Sequence, residues 1–306
     1  MKRAAFYLLI CCAALLLGAL AFYGLRGALA RRAVDREQDA LSMDAPQLAA
    51  TTRLEILPLY EEAGAGEGWE IGHGVSYLVR TDASTILMDV GDNPERRAVA
   101  PFAGNMGALG IAWAEIDALL VSHPHPDHVG GVEAWKSHTL ALGDLPADVR
   151  SPPAYLPSPL AYPDAAVIPG PALVGPDAAT TGVIPYAETW PMSLYEARGG
   201  EQALVIDLQG QGLVVVTGCG HPGLETLIER AEALYGRPVI GIVGGLHYGD
   251  AAAEELAAPI RFLQQRRPLL VALSPHDSSA PALAAFESAF PGVYHTLRVG
   301  EAVRLP

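Results

Sequence analysis

Cysteine is scarce: three residues in 306, of which Cys11 and Cys12 are adjacent in an apolar N-terminal stretch. Cys219 is alone in the remainder, so no disulfide can form within it. Basic side chains are scarce too. Of 20 Lys and Arg, six fall in the first 50 residues, together with four of the 34 Asp and Glu; the chain beyond residue 50 therefore carries a net charge of −16. Clustered Lys and Arg are what grip phosphate backbones, so a nucleic-acid substrate is disfavoured. No Gly-x-x-x-x-Gly-Lys-Ser/Thr run is present, which removes the P-loop class. No internal repeat stands out.

What is present begins with an uncharged run, Ala4 to Leu25, between Lys2-Arg3 and Arg26. As a helix rising 1.5 Å per residue it reaches about 33 Å, enough to cross a bilayer core. The alternative is a cleaved signal peptide, with small-residue sites at Ala19-Leu20-Ala21 and Ala28-Leu29-Ala30. Against it, the run exceeds the roughly 7–15 residues of a signal h-region. Residues 1–30 are thus read as a membrane anchor or signal peptide, and 31–52 as a polar, alanine-rich linker or juxtamembrane helix. Arg26, Arg31, Arg32 and Arg36 follow the run, so basic residues flank it on both sides. Counted alone they keep the following domain cytoplasmic, whereas a long domain can translocate regardless of charge. The reading adopted is an anchored domain on the extracytoplasmic (periplasmic) side, with a cleaved, secreted form as the alternative.

From Arg53 to Pro306 the pattern is that of one α/β domain. LEILPLY, VSYLVRT and STILMDVG are short β-rich runs punctuated by Gly, Asp and Ser, and read as strands. AEIDALLVSH reads as a helix end entering a buried strand at 118–122, and GGVEAWKSH as the opening of a helix. Eleven prolines between residues 140 and 195 then predict a long irregular insertion, because proline withdraws backbone donors. Regular structure returns with QALVIDL and GLVVVTG, strands joined by a QGQG turn. The helix PGLETLIERAEALYG follows, with Leu224, Leu227, Ile228, Ala231 and Leu234 at helical spacing. PVIGIVGG and PLLVALS are strands, AEELAAPIRFLQQ and 282–290 helices, and LRVGEAVRLP a closing strand. Two strand-rich halves, each followed by helices, predict two central sheets with helices outside.

The strongest chemical signal is SHPHPDHVGG, residues 122–131. It sets His123, His125, Asp127 and His128 at the end of an apolar strand, where Pro124 and Pro126 stiffen the loop. Two imidazoles can turn to one metal, and Asp127 with His128 to a second. Imidazole and carboxylate suit zinc, and also iron or manganese, better than calcium. The bland alternative is a solvated histidine-rich loop.

The run resembles the H-x-H-x-D-H loop of the metallo-β-lactamase superfamily. GHGVSYLVRTDASTILMDVGDN, GLVVVTGCGHPG and IVGGLHYGD are similar to segments of its dihydropteroate-synthase-like, or β-ribofuranosylaminobenzene-phosphate-synthase-like, branch. The likeness runs from about Glu55 to Pro306, the proline-rich insertion apart. It implies an αββα sandwich with the site at the sheet edge. It also implies a ligand set: His123, His125 and His221 for a first metal, and Asp127, His128 and His276 for a second. The expected cofactor is two divalent transition-metal ions, zinc first and iron or manganese next.

Further residues are placed by the same resemblance. Asp89 would orient the metal loop by hydrogen bonds, or be a simple turn former. His247 would contact substrate, stand behind the ligands or itself be a ligand, and His73 would point into the pocket. Cys219 stands where many members carry a bridging Asp, and is either a ligand or a small buried residue packed behind His221. Asp277 departs from the branch, which has a cysteine there, so substrate or metal preference is open at that point.

The reaction implied is hydrolysis by a metal-activated hydroxide, with Asp127 orienting the nucleophile or taking up its proton. The expected partners are a small-molecule phosphoester, lactone or other ester, and the membrane through the N-terminal helix; protein partners are left open. The rival from another class is a membrane-tethered metal-binding sensor without turnover; metal analysis with a panel of chromogenic esters separates the two.

Overall fold

The computed structural model describes residues 2–147, 149–249 and 251–306, with side chains at Tyr7 and from Cys11 onward. Two compact units emerge: residues up to Leu41 with Pro185–Gly200, and Ser42–Ile184 with Glu201–Pro306.

The larger unit contains two sheets. The first has seven strands, in the spatial order Val303–Leu305, Leu54–Tyr60, Ser76–Arg80, Thr85–Met88, Ala118–Leu120, Ala154–Leu156 and Ala165–Val167. The second runs Tyr294–Thr296, Leu270–Leu273, Val239–Gly244, Gly212–Thr217, Leu204–Leu208, Ala178–Thr180 and Leu173–Gly175, with Ala50–Thr51 added beside Leu204–Leu208. In each sheet four consecutive strands are parallel: Thr85–Met88 to Ala165–Val167 in the first, and Gly212–Thr217 to Tyr294–Thr296 in the second.

Alternation along the strands decides what each face buries. Ile86 and Met88, Tyr77 and Val79 point into a shared core with Leu204, Ile206, Val214 and Val216 of the second sheet. Leu78 and Leu87, one residue out of phase, turn to the opposite face and pack with Phe102 and Met106 of the helix Pro101–Ala108. Helices Leu224–Tyr235, Ala253–Arg266 and Ala280–Ala289 follow strands of the second sheet and bury Leu227, Ile228, Leu256, Leu263 and Phe286. Each such side chain removed from water contributes about 1.5–3 kcal/mol. The result is the αββα sandwich that the sequence resemblance implied. Pro58 lies inside a strand, where the pairing slips between Pro58 and Tyr60, so its missing donor falls at a bulge.

Residues 140–195 correct one expectation. They hold five short strands, of which four complete the two sheets and the fifth, Ile184–Ala187, pairs with Arg198–Glu201. Most of the prolines stand just outside these strands and set their ends, so proline shortens elements here rather than abolishing them. At the edge of the sandwich where the turn 81–84 lies, Asp177 of the insertion accepts hydrogen bonds from Thr81 Oγ1 (2.7 Å), Ser84 Oγ (2.6 Å) and Ala83 N (3.1 Å).

In the smaller unit one helix, Lys2–Asp39, runs unbroken through the apolar stretch and into the 31–52 segment. Among the described residues it is the one helix long and apolar enough to cross a membrane.

Candidate metal centre

Parallel strands that share a direction deliver their C-terminal ends to one edge. From Thr85–Met88 comes Asp89; from Ala118–Leu120, the loop Ser122–His128; from Gly212–Thr217, Cys219 and His221; from Val239–Gly244, His247; from Leu270–Leu273, His276 and Asp277. Asp89, His247 and Asp277 all have positive φ, 56°, 55° and 53°. Strained non-glycine backbone of this kind persists only where the surroundings enforce it.

Three imidazoles converge at one point. His123 Nε2 lies 3.1 Å from His125 Nδ1 and 3.1 Å from His221 Nε2. The hydrogen bonds behind them set the tautomers. Asp89 takes Ser122 N (2.7 Å), Ser122 Oγ (2.6 Å) and His128 Nδ1 (2.8 Å), and a carboxylate can only accept. Ser122 Oγ, having given its proton to Asp89, accepts from His123 Nδ1 at 2.9 Å. Both His123 and His128 therefore keep the Nε2 lone pair for the interior.

A second group joins it. Cys219 Sγ is 3.0 Å from His128 Nε2, and Asp127 Oδ2 is 2.9 Å from His276 Nε2 and 3.5 Å from His128 Nε2. His276 Nε2 is buried without a hydrogen-bond partner of acceptable geometry. Donor atoms of Asp127, His128, Cys219 and His276 lie within 4.8 Å of one another, as do those of His123, Cys219 and His221. Cys219 thus stands between the two groups. A third grouping contains His73, Asp127, His276 and Asp277.

These residues fit divalent ions. Tetrahedral zinc with bonds of about 2.0–2.1 Å to nitrogen places its ligand atoms about 3.3 Å apart, close to the spacing of the three imidazole nitrogens. A buried nitrogen without a hydrogen-bond partner, such as His276 Nε2, is unfavourable unless a cation or another donor reaches it.

The charges are arranged accordingly. Burial, reinforced by neighbouring imidazoles, holds His123 and His221 well below the usual histidine range, which keeps them neutral donors. Burial opposes charge on His128 and His276 as well. Asp127 and Asp89 outweigh it for the first, and Asp127 with Glu62 lifts the second to about 10. Asp127 pays a burial cost, yet His128 and His276 hold it well below the carboxylate range. Burial, with Asp127 and Asp277 nearby, pushes the Cys219 thiol up.

His73 and His247 are partly open to solvent. His73 Nδ1 is 2.9 Å from Glu62 Oε1, and its Nε2 faces Asp127 Oδ2 at 3.7 Å. The His247 ring is 4.6 Å from that of His221, with Nδ1 3.4 Å from Asp277 Oδ2; it belongs to none of the donor groups. Gly74 approaches so closely that a Cβ there would fall 2.2 Å from the Asp127 carbonyl oxygen.

Several residues of the site were not read from the sequence. Glu62 Oε1 spans His73 Nδ1 (2.9 Å) and His276 Nδ1 (3.3 Å). Glu61 is fully buried, accepts from Tyr77 OH at 2.6 Å, and is raised by burial to about 7. Buried Glu201 accepts from Thr217 Oγ1 and from four successive amides, Gly218 to His221, at 2.6–3.2 Å. A signal existed for the first two: paired acids directly after an apolar strand.

Gly218-Cys219-Gly220-His221-Pro222-Gly223 also has the Gly-x-Gly-x-x-Gly spacing of a dinucleotide turn between strand and helix. Here the amides that would cradle a pyrophosphate are already held by the Glu201 carboxylate. A cavity of about 500 Å³ elsewhere, among Arg53, Glu55, Arg80, Asp82 and Arg304, has its charges paired internally and carries no donor group of this kind.

A two-sheet sandwich with clustered imidazoles on the strand-end loops defines a class of metal-binding folds. The chain belongs to the metallo-beta-lactamase superfamily, whose sequence pattern matches residues 69–223. His247, His276 and Asp277 lie beyond that match. The chain is 24% identical over 251 residues to 7,8-dihydropterin-6-methyl-4-(beta-D-ribofuranosyl)-aminobenzene-5'-phosphate synthase of Methanocaldococcus jannaschii, covering 69% of this chain and 83% of that one. Among solved structures, a metal-dependent hydrolase of the beta-lactamase superfamily superposes with TM-score 0.59 at 20% identity, over 82% of this chain and 98% of the other. The metallo-beta-lactamase fold protein YhfI from Bacillus subtilis gives 0.52 at 14% identity, over 82% and 99%.

Proposed function

We propose that the chain is a binuclear metal-dependent hydrolase acting on a small phosphoester, lactone or related ester, held at a membrane by its N-terminal helix. The observation that carries this reading is the convergence of seven donor side chains from the two sheets, with the lone pairs of His123 and His128 fixed inward by Ser122 and Asp89. His123, His125 and His221 would hold one ion and Asp127, His128 and His276 the other, with Cys219 available to either group. Imidazole with a thiol favours zinc, with iron or manganese as the alternatives. Two such ions, when bound, supply an acidified water and stabilise negative charge on the attacked group.

The remaining chemistry belongs to the chain. Asp127 Oδ2 is the carboxylate oxygen that accepts a proton from the attacking water. Glu62 Oε1, 3.3 Å from His276 Nδ1, and Gly74 N, which donates to the same nitrogen at 3.1 Å, hold the His276 ring so that Nε2 faces Asp127. His73 and His247, partly open and on opposite flanks, contact the substrate, and Asp277 holds the His247 ring. The methanogen relative's name contains a phosphate ester, which favours the phosphoester arm of the proposal. The test is turnover by the purified full chain, loaded with zinc, manganese or iron in turn, on chromogenic phosphomonoesters, phosphodiesters and lactones. Metal-dependent hydrolysis of one class supports the reading; tight metal binding with no turnover in any of them makes the chain a binding protein.

A further inference from the structure

The smaller unit brings a second apolar feature beside the helix Lys2–Asp39. Its other segment, residues 185–200, leaves the helix at Gln38, whose Nε2 donates to Pro185 O at 2.8 Å, and returns at Arg198, which is paired with Glu37. From there it lies along the helix towards the N-terminus: Ala197 lines a groove with Phe22, Leu25, Arg26, Leu29 and Ala33. Its tip holds three large exposed side chains, Trp190 (78%), Tyr195 (67%) and Leu194 (45%). A soluble loop gains nothing by presenting such residues to water.

Their level along the helix suggests what covers them. The uncharged run ends at Leu25, and Arg26, Arg31 and Arg32 follow within two turns. Side chains of the run such as Leu15, Leu16, Leu17 and Leu20 are all exposed, as a lipid-facing surface requires. A loop descending beside residues 38 to 22 reaches the junction between the cationic turns and the apolar run. In a membrane that junction is the headgroup layer, where tryptophan and tyrosine rings are enriched because they are apolar bodies with a polar edge.

We infer that the loop Thr189–Tyr195 inserts into the lipid interface next to the anchor, so that the chain meets the bilayer at two places rather than one. The partner is the phospholipid surface itself. Trp190 and Tyr195 sit at headgroup depth, Leu194 reaches the upper acyl chains, and Arg26, Arg31 and Arg32 favour an anionic leaflet. The inference rests on the helix being retained as an anchor.

The test uses the full chain reconstituted into vesicles of equimolar phosphatidylcholine and phosphatidylglycerol. Tryptophan emission is compared for wild type and Trp190→Phe, with lipids brominated either near the headgroup or near the acyl-chain end. Wild-type emission should be quenched by the shallow bromines and much less by the deep ones, and Trp190→Phe should lose the shallow quenching. Equal quenching in the two proteins, with the chain still floating with the vesicles, overturns the inference and leaves the anchor standing. Failure to float with the vesicles overturns the anchor, and the inference with it.

Discussion

Asp127 Oδ2 faces His276 Nε2 at 2.9 Å and His128 Nε2 at 3.5 Å, and among the described residues it is the one carboxylate paired with both histidines. Asp127→Asn keeps the shape of the side chain and removes its charge. Turnover should fall about a hundredfold or more, the lower range of general acid–base contributions, with a smaller change in KM. Wild-type turnover in this variant, with metal content matched, would remove Asp127 from the mechanism. Glu61 provides a separate test at this scale. Burial raises it from 4.5 to about 7, so the folded chain favours its protonated form. The stability this contributes is complete below about pH 4.5 and is lost as the pH rises through 7. By linkage it is on the order of 3 kcal/mol. Thermal unfolding of chelated protein should therefore show a fall in Tm across that window, which Glu61→Gln flattens; parallel pH profiles for the two proteins would contradict the assignment. His123, His125 and His128 stood out by spacing, because four donor groups in six residues after an apolar strand have few other uses, whereas His221, His247 and His276 were placed only by the family resemblance. Glu62 and Glu201 were not read from the sequence. Each acts on residues far away in sequence; the paired acids Glu61-Glu62 after an apolar strand did carry a signal, but a lone acid such as Glu201 looks the same whether it is solvated or buried.

At the scale of elements, the strands and the three helices of the second half follow from period-2 and period-3.6 patterns in the chain. Leu224–Tyr235 lies where the leucine spacing put it. The insertion did not follow, because its strands are three or four residues long and too short to show a period. They are made strands by the neighbours they pair with. One junction ties two loops of the site together. Glu201 holds the amides of Gly218 to His221, while Gln202 N and Nε2 donate to Ser122 O (2.9 Å) and Val121 O (2.8 Å), just before His123. Replacing Glu201 by Gln puts an amide donor where the carboxylate accepts, and should release the Cys219–His221 loop. Metal affinity should drop about 10- to 100-fold, the usual effect of losing a group that orients ligands. Competition against a chromogenic chelator measures it. Unchanged affinity would mean that the loop is held by its own packing.

The whole molecule combines an acidic sandwich with an apolar helix, and the sequence separates these two parts by composition alone. Which residues of the insertion join the helix in one compact unit was not legible, because that depends on where the two-stranded segment 184–201 lies in space. The central claim is that loops from both sheets close on a pair of ions, and the most direct measurement of it is the metal content of the chain. The full chain in detergent, reconstituted with zinc and dialysed against zinc-free buffer, should retain two ions per chain by elemental analysis. The double variant His123→Ala/His125→Ala should retain one, held by Asp127, His128 and His276. Retention of no ion by the wild-type chain, or of two by the double variant, would contradict the account.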